Sequence, residues 1–195
     1  MIGSFRHNLT RLFQLGGRSS PGQFWPYMIV MIIFQILATS VPVTWVVSES
    51  FTNIQRFAAE HPDQATVIQG PDHYLVEIDG YHPELMPGMQ DFAITAGIIL
   101  LLFLLLTGPA MVRRLHDSNR SGLWLLPTLV TLVIALAGTP LLVNGGLNGA
   151  EPSLFLFGLL LLNNLVYLSS LLVMFLLLIA DGTPGPNRYG TRSPD

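Results

Sequence analysis

Four stretches of this chain contain no Asp, Glu, Lys, Arg or His and are almost wholly apolar: about residues 25–47, 92–112, 123–143 and 154–180. A bilayer core roughly 30 Å thick is crossed by about 20 apolar residues in a helix. Lipid offers the backbone no hydrogen bonds, so such a segment must satisfy its amides internally, as a helix does. The pattern therefore predicts an all-α membrane protein, a four-transmembrane-helix bundle whose fourth span is long enough to tilt or to outrun the lipid. Charged residues make up 11% of the 195, against roughly 25% in soluble domains. The first stretch is longer than the apolar core of about 7–15 residues in a signal peptide, and Ala38-Thr39-Ser40 is a poor cleavage site, so it reads as a retained span. The absence of cysteine excludes a disulfide framework and thiol chemistry.

Arginine placement sets the expected orientation. There is no lysine, and eight of the nine arginines fall on one side of the predicted spans. Arg6, Arg11 and Arg18 precede the first span, Arg113, Arg114 and Arg120 lie in the link 113–122, and Arg188 and Arg192 lie in the tail 181–195. The link 48–91 holds Arg56 alone, among Glu49, Glu60, Asp63, Asp72, Glu77, Asp79, Glu84 and Asp91, and the short link after span three holds Glu151. The positive-inside rule puts the arginine side, with both termini, in the cytoplasm. Trp25, Tyr27 and Trp124 then form the inner aromatic belt and Trp45 the outer one.

Outside the lipid, residues 2–15 read as a short amphipathic helix with Ile2, Phe5, Leu9, Leu12 and Phe13 on one stripe, ended by Gly16-Gly17. That face suits either the inner leaflet or the bundle. Residues 1–19 form this cytoplasmic segment and 20–195 the membrane domain. Ser20-Pro21-Gly22-Gln23 is a capping-box start for span one. In the outer loop, 53–60 can extend span one, and Ala65–Gln69 and His73–Ile78, either side of Gly70-Pro71-Asp72, predict a small β-hairpin. The loop's His61, Asp63, Asp72, His73, Asp79, His82 and Glu84 lack compact metal-ligand spacing, so no metal is expected there.

The densest polar chemistry is Arg113-Arg114-Leu115-His116-Asp117-Ser118-Asn119-Arg120-Ser121-Gly122. Cations at the end of span two oppose its dipole, Ser121 is placed to cap span three, and Asp117 can pair with an arginine or orient the His116 ring. Pro109 interrupts span two just before the turn and frees a carbonyl one turn back. The short turn predicts that spans two and three pack as a pair. Two readings stand for the cluster. In one, Arg18, Arg113, Arg114, His116, Asp117 and Arg120 bind an anion or a lipid headgroup, helped by helix N-termini. In the other, charge sets topology and a salt-bridged clamp involving Trp25, Trp124, Asp181, Asn187 and Tyr189 holds loop and tail; caps and the positive-inside rule explain more of the cluster this way. A His116/Asp117 membrane enzyme lacks an accompanying nucleophile, zinc or phosphate-loop motif. A small transporter or channel subunit lacks the intramembrane ionisable groups of coupled carriers; Gln35, Asn163 and Asn164 suit interhelical hydrogen bonds instead. No cofactor or nucleic-acid partner is expected. Membrane lipids, a protein partner or further copies of the chain are.

Three motifs add a resemblance. Gly17-Arg18-Ser19 followed by Phe24-Trp25, then Arg113-Arg114-Leu115-His116-Asp117 with Ser121-Gly122 and Trp124, then Gly185-Pro186-Asn187-Arg188-Tyr189-Gly190, is similar to the DUF805 family of small bacterial inner-membrane proteins. Family members commonly carry a basic residue and a glutamate ahead of the Phe-Trp pair, where this chain has Pro21 and Gln23, and their outer loop is shorter. The resemblance implies a bacterial inner membrane and a periplasmic outer loop. It implies no activity, and the expected role is that of a non-enzymatic accessory or interaction component.

Overall fold

A computed structural model describes residues 2–80, 82, 85, 89–147 and 153–191; Glu84, Glu151 and Arg192 lie outside them. In chain order the elements are α1 (Ile2–Leu9), α2 (Pro21–Glu60), β1 (Ala65–Gln69), β2 (Tyr74–Ile78), α3 (Met89–Asp117), α4 (Leu126–Leu147) and α5 (Leu154–Ile179). Among the described residues, four helices are long and apolar enough to cross a membrane. Their side chains point outward: Leu162, Leu165, Leu168, Leu172 and Leu176 of α5 are all exposed. A helix that turns leucine away from its own protein is built for lipid.

The chain divides into two units, Met1–Met31 with Leu104–Asp195, and Ile32–Phe103. In the first, α4 and α5 pack along one another. Asn163 of α5 donates to the Thr131 carbonyl of α4 at 2.9 Å, the interhelical role expected of an intramembrane amide. The expected pairing of spans two and three is corrected here: among the described residues of this unit, which takes in α3 only from Leu104 on, α3 and α4 share no comparable packing. A short link brings two helix ends together without forcing their lengths into contact. Ser121 does cap the chain after that link, accepting from Leu123 N at 3.3 Å, but it opens a 3-10 turn, Gly122–Leu125, that leads into α4.

Two further expectations change in this unit. The N-terminal helix ends at Leu9 and residues 10–13 form turns. Its buried positions are Ser4 and Asn8, while Ile2 is 88% and Phe13 100% exposed, so the polar side faces the protein. Ser20 starts α2 through its backbone carbonyl, which accepts from Phe24 N at 3.0 Å. Its buried hydroxyl finds no partner among the described residues, so the side-chain cap is not formed.

In the second unit α2 runs on to Glu60, as expected. The antiparallel hairpin follows, registered from Ala65 opposite Ile78 to Gln69 opposite Tyr74. The Gly70 amide donates to the His73 carbonyl at 2.8 Å. A Cβ at Gly70 would collide with the His73 ring. The loop histidines are used in packing: Phe57 stacks on His61 at 4.5 Å and meets His82 at 4.4 Å.

Candidate functional site

The polar centre of the protein is a set of buried arginines at one end of the helices. The C-terminus of α3 delivers Arg113, Arg114, His116 and Asp117; the segment before α2 delivers Arg18; α5 and the tail deliver carbonyls. Arg18, Arg113, Arg114 and Asp117 expose 3%, 1%, 1% and 0% of their surface. A guanidinium so buried must find acceptors for its N–H groups or forfeit several kcal/mol of hydration.

It finds them. Arg18 has five N–H donors, and each has a protein acceptor. Nε reaches Asp117 Oδ1 at 2.9 Å, Nη1 the carbonyls of Gly185 and Gly190 at 2.6 and 3.4 Å, and Nη2 those of Thr183 and Asp117 at 2.7 and 3.3 Å. Arg114 lies on the other carboxylate oxygen, Nη1 to Oδ2 at 2.6 Å. Its Nε and Nη2 donate to Leu178 and Ala180 carbonyls at 2.9 and 2.7 Å. Arg113 turns the opposite way and holds the N-terminal segment. It donates to Asn8 Oδ1 at 2.9 Å, to the Arg11 and Gln14 carbonyls at 2.7 and 2.6 Å, and to Ser19 Oγ at 3.3 Å.

Two guanidinium charges thus share one carboxylate, and Arg113 is turned away from it. The balance comes from carbonyl dipoles, and for Arg114 these sit at the end of α5, where the orphan C=O groups carry the negative pole of the helix. Only a planar, forked, permanently charged side chain reaches so many acceptors at once, a physical reason for arginine rather than lysine at these three positions.

The backbone is shaped to fit. A Cβ at Gly182 would overlap the Asp117 carboxylate. Gly185 and Gly190 have φ of 80° and 114°, in the left-handed region where only glycine is unstrained. Between them Asn187 N donates to Gly190 O at 3.1 Å and Gly190 N returns to Asn187 O at 2.9 Å. Asn187 Nδ2 also ties the tail to the His116 carbonyl at 2.9 Å, and Thr183 N donates to Asp117 O at 2.9 Å.

His116 and Asp117 do not form a dyad. The Asp117 carboxylate is taken by two arginines. His116 Nδ1 lies 3.2 Å from the Gly17 carbonyl, which can only accept, so that nitrogen carries the proton in this contact. The ring stacks on Tyr189 at 3.7 Å and 5°, and Arg188 covers the other ring at 4.7 Å.

Of the predicted site residues, Arg18, Arg113, Arg114, His116 and Asp117 come together with Asn187 and Tyr189. Arg120 makes one long contact, Nη1 to Leu177 O at 3.5 Å. Trp25 joins α2 to α5 through an edge contact with Phe175 at 6.1 Å. Trp124 and Asp181 are exposed and add no polar side-chain contact to the cluster among the described residues. Sequence reasoning missed Ser4 and Asn8, one helical turn apart, whose side chains both donate to the Gln23 carbonyl. It also missed Tyr27, whose hydroxyl donates to Leu106 O at 2.9 Å, one residue beyond the carbonyl that Pro109 leaves without an amide.

The three dispersed motifs therefore meet in one clamp. A family model, described as a protein of unknown function (DUF805), matches residues 12–191. The chain belongs to the DUF805 family. No curated protein matches the chain, and no solved structure does. The DUF805 match runs from just before the first motif to just past the last, so it takes in all three strands of the clamp together with the four apolar helices.

Proposed function

We propose that this DUF805 protein is a non-enzymatic component of a bacterial cytoplasmic membrane, with its arginine-bearing face in the cytoplasm. The clamp makes that face a fixed platform for lipid and for a protein partner. What carries the reading is Arg18, a buried cation whose five donors all end on protein acceptors. Its charge is spent on joining the N-terminal segment, α3 and the tail. Arg113 and Arg114 are turned inward in the same way, so anionic headgroups would meet the exposed Arg6, Arg11 and Arg188. The His116 and Asp117 contacts favour this over an enzyme, and the Asn163 contact favours helix packing over a transport path.

The cysteine-free chain allows a direct test of orientation. An impermeant maleimide on intact cells should label Asp72→Cys in the outer loop and spare Thr191→Cys in the tail. The reverse pattern would overturn the orientation. For the platform, hydrogen exchange in nanodiscs should find the amides of Ser19, Thr183, Asn187 and Gly190 protected, since each has a backbone acceptor. Exchange at free-loop rates would end the platform reading.

A further inference from the structure

Helix α1 is fastened by its polar side. Ser4 and Asn8 donate to the Gln23 carbonyl, and Asn8 receives Arg113. Its apolar side rests on the protein through the Phe5 ring, 5.6 Å from that of Tyr27, and otherwise forms one wall of a groove of about 510 Å³, within the roughly 300–1,000 Å³ of ligand clefts. Ile2, Phe5 and Leu9 of α1 face Pro26 and Val30 of α2 across it, with Arg6 among the lining residues. Pro26 and Val30 belong to the first turns of a predicted span, so the groove opens at headgroup depth. Arg6 is exposed and its side chain makes no hydrogen bond or ion pair among the described residues. Residues 1–19 contain no Asp or Glu that could pair with it.

We infer that this groove is a binding site for one anionic phospholipid of the surrounding leaflet. An acyl chain lies between α1 and α2, where it removes Ile2 and Leu9 from water, and the headgroup phosphate sits on Arg6. The charge decides the occupant: an apolar slot would take any lipid tail, but the exposed guanidinium of Arg6, a residue that borders the slot, selects a negative headgroup. The inference rests on the platform reading for the depth of α1 and assigns the lipid to a site apart from the buried clamp. Arg18, Arg113 and Arg114 take no part in it.

The test is native mass spectrometry of the full chain released from nanodiscs of phosphatidylglycerol or phosphatidylcholine. Wild type should retain one phosphatidylglycerol in preference to phosphatidylcholine. Arg6→Gln should cut that preference about fivefold, the value of one basic residue at an anionic surface. Val30→Trp, which fills the groove, should reduce retention of both lipids. Equal retention of the two lipids by wild type, or wild-type retention in either variant, overturns the site. So does displacement of the lipid by glycerol phosphate alone, which would mark a free-phosphate site. A dimer mass abolished by Val30→Trp would show instead that a second copy covers the groove. Amide protection at Ser19 and Asn187 is read on the same samples. Protection without lipid retention sinks the lipid site and leaves the platform, whereas loss of protection in wild type sinks the platform.

Discussion

Arg18 and Asp117 are 99 residues apart in sequence, yet Nε lies 2.9 Å from Oδ1 and neither side chain is exposed. Arg114 holds the other oxygen of the same carboxylate. Removing Asp117 would take from two buried cations the carboxylate they share. Breaking one side of a buried pair costs about 3–5 kcal/mol, because the surviving charge stays desolvated. Asp117→Ala should therefore lower the thermal unfolding midpoint in detergent sharply and release the tail to protease. Arg18→Leu/Asp117→Leu removes both members and should recover part of that loss. An unchanged midpoint in Asp117→Ala would show that the clamp does not hold the fold.

Gly182 offers a test of the same site without touching a charge. Its missing side chain is where the Asp117 carboxylate lies, so Gly182→Ala forces the tail or the carboxylate to move. Overpacking of this kind costs about 1–3 kcal/mol. Gly16→Ala is the control, since nothing lies within 4 Å of where its Cβ would stand and its φ is not positive. Equal unfolding midpoints for the two variants would mean that the tail is not seated against Asp117.

The spans were legible because lipid imposes a simple demand: four uncharged apolar runs have few other folds open to them. The hairpin was legible to within one residue, its second strand starting at Tyr74 rather than His73, because Gly70-Pro71-Asp72 punctuates two β-branched runs. The clamp's membership was half legible. Arg18, Arg113, Arg114 and Asp117 stood out as charges, but nothing local says that their partners are the carbonyls of Gly185, Leu178 and Gln14, since a carbonyl belongs to every residue alike. Periodicity finds the apolar stripe of α1 but does not say what covers it, so leaflet and bundle both stayed open. Burial of Ser4 and Asn8 rather than of Ile2 leaves the apolar side for lipid, because the polar side of this helix meets the protein's buried polar centre. The pairing of spans two and three failed because loop length fixes the distance between helix ends and not the packing of their faces.

His7 gives α1 a dependence on pH. Burial, then the nearby charges of Arg11 and Arg113, hold its imidazole below the ordinary value of 6.5. Its buried Nε2 has no hydrogen-bond partner among the described residues. A group whose folded pKa is depressed binds protons more readily once released, so acid favours release. Docking of α1 should be complete above pH 6.5 and weaken as the pH falls through the lowered folded value. Hydrogen exchange of the α1 amides, corrected for the intrinsic effect of pH and compared at pH 7.5 and 5, should show protection lost at the lower pH. His7→Phe keeps the ring and removes the proton site, so its protection should not respond to acid. If wild type and His7→Phe lose protection together, the acid response lies elsewhere and His7 is a bystander.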